Sequence, residues 1–240
     1  MSFVAVVTGG SSGIGWATAQ AMLARGWQVV SLAHEAPPEA RPGLHAEICD
    51  LADAAATAAA GARIAAAHRV THVVHNAGQI LPALIDEADP DSVLRLAQLH
   101  LATPLALTQA FLPAMRARRF GRILFTGSRA ALGVPTRSAY AATKAGILGL
   151  ARTWALELAP QGITVNVVSP GPIRTRNFWD IVPKDSPGEA ALAARIPVGR
   201  LGEPEDVARA LMFLADPDAG FITGQVLMVC GGASIGALSL

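Results

Sequence analysis

Residues 3–15 read FVAVVTGGSSGIG. The run from Phe3 to Val7 is apolar with no polar face, which marks a strand buried on both sides, as inside a parallel sheet. Thr8 ends the run, and Gly9, Gly10, Ser11, Ser12, Gly13, Ile14 and Gly15 turn the chain directly into a helical stretch from Gly13 to Arg25. Such a turn offers free backbone N–H groups and the positive end of a helix dipole, so a pyrophosphate can settle on it. The spacing is G-x-x-x-G-x-G, which differs from the G-x-G-x-x-G dinucleotide fingerprint. The plainer reading is a tight βα turn that binds nothing; its place between strand and helix favours phosphate.

The same alternation continues along the chain. Gln28 to Ala33, Thr71 to Val74, Arg122 to Thr126, Ile163 to Val168 and Val226 to Val229 repeat the short apolar pattern. Between them lie helical stretches at Asp53 to His68, Pro90 to Arg118, Ser138 to Leu158 and Pro204 to Leu214. Strand and helix in alternation imply right-handed crossovers, hence an α/β fold of Rossmann type: one doubly wound parallel sheet of about seven strands with helices on both faces. A single domain over 1–240 is expected. Glu35 to Gly43 is rich in Pro and reads as a loop. Pro170 to Pro197 is a long mixed segment with a short helix at Gly188 to Arg195, and its length suggests a substrate lid around 172–197.

Composition narrows the function. The 240 residues are 52% hydrophobic and 15% charged, with a formal net charge of +1, which fits a well-buried globular chain and argues against a nucleic-acid surface or a polybasic membrane patch. The apolar excess is largely Ala, no stretch approaches a spanning helix, and Phe3 to Val7 is too short for a signal peptide. The two cysteines, Cys49 and Cys230, have no metal-type spacing, so two buried thiols in a reduced, cytoplasmic protein are expected.

The scarce residues carry the chemistry. Tyr140 is the only tyrosine, and Lys144 is one of two lysines in a chain that otherwise uses Arg. In Tyr140-Ala-Ala-Thr-Lys144 the two side chains fall one helical turn apart. A nearby cation favours the phenolate and brings a phenol toward acid–base work, and a compact ammonium can hydrogen-bond ribose hydroxyls as Arg's fork cannot. An interfacial Tyr over a solvated Lys is the bland alternative.

Further motifs follow in order: Thr8-Gly9-x-x-x-Gly13-x-Gly15, Asp50-Leu51, His75-Asn76-Ala77-Gly78, Ser128 ahead of Tyr140 and Lys144, Asn166, and Pro170-Gly171-Pro172-Ile173-Arg174-Thr175. This series resembles the short-chain dehydrogenase/reductase family over essentially the whole chain. The resemblance implies an NAD- or NADP-dependent oxidoreductase. Tyr140 would be the general acid/base, Lys144 would lower its pKa and hold the nicotinamide ribose, and Ser128 would hydrogen-bond the substrate oxygen. Gly9, Ser11, Ser12, Gly13, Ile14 and Gly15 would hold the dinucleotide; Asp50 and Leu51 would meet the adenine. Asn76, Ala77 and Gly78 would line the groove, and Pro170, Gly171, Ile173 and Thr175 would flank the nicotinamide and phosphates. Asn166 would be structural.

The chain also departs from that pattern. His100 stands where the family carries a catalytic Asn, and is read either as a substitution within the proton relay, since histidine titrates near neutral pH, or as filling space. At the end of the second strand Ala33 and His34 replace the acidic residue that favours NAD, while Ser12 replaces a basic residue common with NADP. Glu35 next along opposes a phosphate, and the balance tips slightly to NADP with His34 at the ribose. Gly121-Arg122-Ile123 and Phe221-Ile222-Thr223-Gly224-Gln225 are similar to the 3-oxoacyl-carrier-protein reductase-like branch. Arg119 matches one of that branch's two docking arginines but Gln161 replaces the other, which favours a small ketone or secondary alcohol. Arg129 and Arg137 flank the catalytic segment and read as an anion site or, more plainly, as solvated surface. Phe178, Trp179 and Ile181 suggest an apolar wall. The resemblance further implies a homotetramer or homodimer, with Trp154, Leu158 and the tail Val226 to Leu240 at subunit contacts. Cys230 replaces an Asp before Gly231-Gly232. The competing class is a catalytically silent nucleotide-binding sensor or scaffold.

Overall fold

The run that opens the sequence lies in the middle of the sheet. β1 (Val4–Thr8) is buried along its length and pairs in parallel with β2 (Gln28–Ala33) on one side and β4 (His72–His75) on the other. The computed structural model describes residues 2–235, and among them β3 (Leu44–Ile48), β5 (Gly121–Thr126), β6 (Ile163–Pro170) and β7 (Val226–Val229) complete a parallel sheet in the order β3-β2-β1-β4-β5-β6-β7. The order reverses beside β1, because β2 and β3 lie to one side and β4 to β7 to the other. Loops leaving β1 and β4 therefore part, and a crevice opens at their carboxyl ends.

Both faces are covered, which explains strands without a polar side. On one face α1 (Gly13–Ala24) packs on α8 (Pro204–Ala215), with Ala19, Met22, Val207 and Leu211 in the core. On the other, α2 (Ala54–Ala67), α4 (Thr103–Arg118) and α5 (Ser138–Leu158) bury Ile64, Leu107, Phe111 and Ile147. The Ala-rich α2 is a capped helix, with Asp53 Oδ1 accepting from the Ala56 N–H at 3.0 Å. Among the described residues no helix is long and apolar enough to cross a membrane.

The structure alters several expectations. β3, LHAEI, is an edge strand whose residues are largely accessible, so it lacks the apolar run that marks its neighbours. The stretch Pro90 to Arg118 is not one regular helix: α3 (Pro90–Ala97) passes through a π-helical turn, Gln98–Ala102, before α4 begins, and His100 sits in that turn. The segment expected to form a lid contains a short α6 (Arg176–Trp179) before α7 (Pro187–Arg195). Cys49 is buried but Cys230 is partly accessible, its Sγ 3.1 Å from Ser234 Oγ. Trp154 and Leu158 are buried inside the chain, Trp154 against Phe125, and so present no contact surface to another subunit. Of the expected tail contact, residues 236–240 lie outside the described residues.

Candidate active site

The glycine turn owes its shape to two glycines with left-handed backbone, Gly9 at φ 65° and Gly13 at φ 51°. Gly15 is required sterically, since a Cβ there would stand 2.1 Å from the Gly9 carbonyl oxygen. α1 can therefore start directly against the turn. Ser12, at the N-cap, has extended backbone and makes no side-chain cap, so the first N–H groups of the helix are not consumed by it.

Thr8 ties this turn to the next strand. Its Oγ1 accepts from the N–H groups of Asn76 (2.9 Å) and Ala77 (3.0 Å) and donates to the Val74 carbonyl at 3.3 Å. The Asn76 amide donates back to the Thr8 carbonyl at 3.2 Å, and its Oδ1 accepts from Thr126 Oγ1 at 3.2 Å. Asn76 is thus a clamp across β1, β4 and β5 as well as a wall of the crevice. The sequence shows Thr8 only as the start of the glycine motif and Thr126 only as the end of a strand; the fold brings both to Asn76.

Beyond β5 the chain delivers the catalytic candidates. Ser128 caps the 3-10 turn Arg129–Leu132, its Oγ accepting from the Ala130 N–H at 3.0 Å, which leaves the hydroxyl proton free to donate. α5 then carries Tyr140 and Lys144. The Lys144 ammonium is buried and donates to the Thr126 carbonyl at 2.8 Å, with Nζ 5.6 Å from the centre of the Tyr140 ring. Burial pulls its pKa down to about 8. Burial pushes Tyr140 upward, and the opposing influences are the Ser128 hydroxyl and the Arg137 charge.

His100 is held on both ring nitrogens. Thr143 Oγ1 contacts the Ala139 and Tyr140 carbonyls at 3.0 and 3.1 Å, so its single proton is directed there and it accepts from His100 Nδ1 at 2.9 Å. Nε2 accepts from the Gln79 N–H at 3.3 Å. Both contacts specify one neutral tautomer, and burial together with the Lys144 charge lowers the pKa to about 2. Burial thus disfavours the charged imidazolium at this position, and the two contacts let His100 brace the Gln79 loop against α5.

One cavity of about 720 Å³ joins these groups. Gly9, Ser11, Ser12, Gly13, Ile14, His34, Asp50, Leu51, Asn76, Ala77, Gly78, Ser128, Tyr140, Lys144, Pro170, Gly171, Ile173 and Thr175 all line it. Gly15 and His100 are not on its surface; they support it from behind. Arg129, Arg137, Arg176 and the lid residues Phe178, Ile181, Val182 and Leu192 also line it, whereas Trp179 packs on Phe178 from outside the lining. The segment after β6 reaches the glycine turn at Thr175, whose Cγ2 would meet a Cβ on Gly13 at 3.2 Å.

A glycine-turned helix N-terminus at the switch point of a parallel sheet is the architecture of a nucleotide-binding α/β protein. A family model described as enoyl-(acyl carrier protein) reductase matches residues 9–234. The chain is 38% identical to (2S)-[(R)-hydroxy(phenyl)methyl]succinyl-CoA dehydrogenase subunit BbsD of Thauera aromatica, covering 97% of this chain and 96% of that one. It is 37% identical to an acetoacetyl-CoA reductase of Rhizobium meliloti, over 97% and 98% of the two chains. Among solved structures it is similar to the aldohexose dehydrogenase of Thermoplasma acidophilum (TM-score 0.92, 28% identity, 100% and 96% covered). It is also similar to a Beutenbergia cavernae protein whose crystal structure holds NADP at low occupancy (TM-score 0.88, 34% identity, 98% and 97% covered). The chain belongs to the short-chain dehydrogenase/reductase family.

Proposed function

We propose that this protein is an NAD(P)-dependent oxidoreductase that interconverts a small ketone and the corresponding secondary alcohol, with Tyr140 as the general acid/base. The observation that carries the reading is the convergence of Ser128, Tyr140 and Lys144 on one wall of a cavity whose far end is the glycine turn. The residues fit a dinucleotide. Uncapped N–H groups stand at the start of a 12-residue helix, and Gly78 lines the groove beside Lys144, where an added Cβ would stand 3.5 Å from Nζ. In this reading the turn from Gly9 to Gly15 holds the pyrophosphate, Asp50 and Leu51 the adenine, Lys144 the nicotinamide ribose, and Pro170 to Thr175 the nicotinamide. When bound, the cofactor supplies hydride exchange at its nicotinamide ring. Ser128 donates to the substrate oxygen and fixes its position. Tyr140 gives its phenolic proton to that oxygen on reduction and takes it back on oxidation. Lys144, buried and cationic, offsets the phenolate charge that results.

Glu35, which would oppose a ribose 2′-phosphate, is engaged by His34 at 3.5 Å and by Arg176 at 3.5 Å. Two basic groups around that carboxylate support the reading toward NADP. The test is absorbance at 340 nm over a panel of ketones with each cofactor. Consumption of NADPH with at least one ketone, at a kcat/KM above that for NADH, is expected. A strong NADH preference contradicts the cofactor reading, and no turnover with any ketone contradicts the function.

A further inference from the structure

We propose that Arg129 and Arg137 form an anion-binding subsite at the reacting end of the cavity, so that the substrate carries a carboxylate or comparable anion beside its carbonyl or hydroxyl group. The proposal deepens the hydride-transfer reading and rests on it only for the nature of the reacting group. Arg129 directly follows Ser128, and Arg137 caps α5 three residues ahead of Tyr140, one helical turn from the phenol. Both line the cavity and both are partly withdrawn from water. Among the described residues neither meets a carboxylate, although Arg25, Arg41, Arg63, Arg174, Arg200 and Arg209 each do. Arg137 commits one nitrogen, Nη1, to the carbonyl and hydroxyl of Thr136, and among the described residues Nε and Nη2 have no protein acceptor. Two guanidinium groups that line one pocket, neither paired with a carboxylate among the described residues, offer an incoming anion both charge and donors.

The surroundings sharpen the ligand. Among the lining residues the single carboxylate is Asp50, in the loop after β3, far along the cavity from the Ser128 and Tyr140 wall. Phe178, Ile181, Val182 and Leu192 give the same cavity an apolar side. The matching substrate is an amphiphilic anion: an apolar body, an oxidisable or reducible carbon, and a carboxylate held by planar forks suited to it. Arg137 is also presented by a strained turn. Thr136, a β-branched residue, sits at φ 65°, and its carbonyl is pinned by the Ala83 N–H at 3.0 Å. The Arg137 charge reaches the phenol, pulling its pKa down against burial, so an anion there sits within electrostatic range of the reacting oxygen.

The probes are freshly prepared 3-oxohexanoate and its methyl ester, assayed with the NADPH-loaded enzyme, together with calorimetric titration of the NADP-loaded enzyme by hexanoate and by hexanamide. The wild type is compared with Arg129→Gln/Arg137→Gln, and with Arg129→Lys/Arg137→Lys, which keeps the charges without the forks. The wild type is expected to prefer acid over ester in kcat/KM, and hexanoate over hexanamide in binding, by roughly tenfold or more; the Gln variant loses both preferences and the Lys variant keeps part of each. An enzyme that treats acid and ester alike, or a Gln variant that folds and keeps the wild-type preferences, overturns the subsite even if both ketones are reduced. Arginine-dependent hexanoate binding with neither ketone reduced leaves the subsite standing and counts against the small-ketone reading instead. Failure of the wild type to bind hexanoate over hexanamide overturns the subsite.

Discussion

At Gly15 the turn and the first helix meet so closely that the two cannot both accommodate a side chain. The nearest atom to an added Cβ is a backbone oxygen, which cannot rotate away, at 2.1 Å. Gly15→Ala is therefore expected to cost about 1–3 kcal/mol of stability, in the range of overpacked cores, and to weaken NADPH binding as α1 is pushed off the turn. Gly149→Ala is the control: a Cβ there meets nothing within 4 Å, and Ala suits a helix interior better by roughly 0.4–1 kcal/mol. Urea denaturation and NADPH fluorescence titration check both. The glycine turn was legible in sequence because its chemistry is local, one strand, one turn and one helix in a row. The state of His100 was not. Its surroundings come from Thr143 and Lys144 of α5 and from the Gln79 N–H, two stretches that only the fold brings to it. The same holds for Arg137, whose missing counter-ion shows only once its neighbours are placed.

The lid shows what an irregular stretch can and cannot reveal. Its Pro and Gly content and its length marked Pro170 to Pro197 as a functional segment, and α7 appears where a short helix was expected, beginning one residue early at Pro187. The ties that hold it are long-range. Arg174 bridges Glu189 of α7 at 3.1 Å and Glu203, the N-cap of α8, at 2.6 Å, while Glu189 also accepts from the Asp185 N–H at 2.8 Å. One guanidinium thus fastens the segment after β6 to both the lid helix and the core helix. Arg174→Met is expected to free the lid and raise KM for cofactor and ketone by roughly three- to tenfold, with a smaller effect on kcat, because the groups on Ser128 and α5 stay in place. Steady-state kinetics measure the split; an unchanged KM contradicts a fastening role. The π-helical turn at Gln98–Ala102 was hidden for a related reason. The pattern from Pro90 to Arg118 is helical throughout, and one extra residue in a turn leaves no mark on periodicity.

Across the whole molecule the strand and helix alternation was enough to give the doubly wound sheet, since buried parallel strands and their covering helices leave strong patterns. The edge strand β3 was the exception, being half solvated. A second property of the sheet is its acid sensitivity. His72 and His75 lie in β4 and His100 in the turn behind it, and burial holds their pKa values near 3, 3 and 2. Unfolded, each takes up a proton near pH 6.5 that the folded chain refuses. Stability is therefore greatest above pH 6.5 and falls as pH drops toward 3, by about 1.4 kcal/mol per pH unit for each histidine. Urea midpoints should decline between pH 7 and pH 5, and His75→Phe should flatten the slope by about a third. A midpoint independent of pH over that range contradicts the burial of these rings.

In the proposed reaction one phenol moves the proton. Tyr140 is the only tyrosine, so Tyr140→Phe removes the sole phenol of the chain while keeping the ring that packs edge-on against His100. The decisive measurement is kcat for the best ketone found, taken beside the Kd for NADPH, in wild type and variant. The predicted result is a fall in kcat of about 100-fold or more, in the range of general acid/base catalysis, with Kd raised by no more than about tenfold. A variant that folds, binds NADPH and keeps kcat within about tenfold of wild type would contradict the assignment.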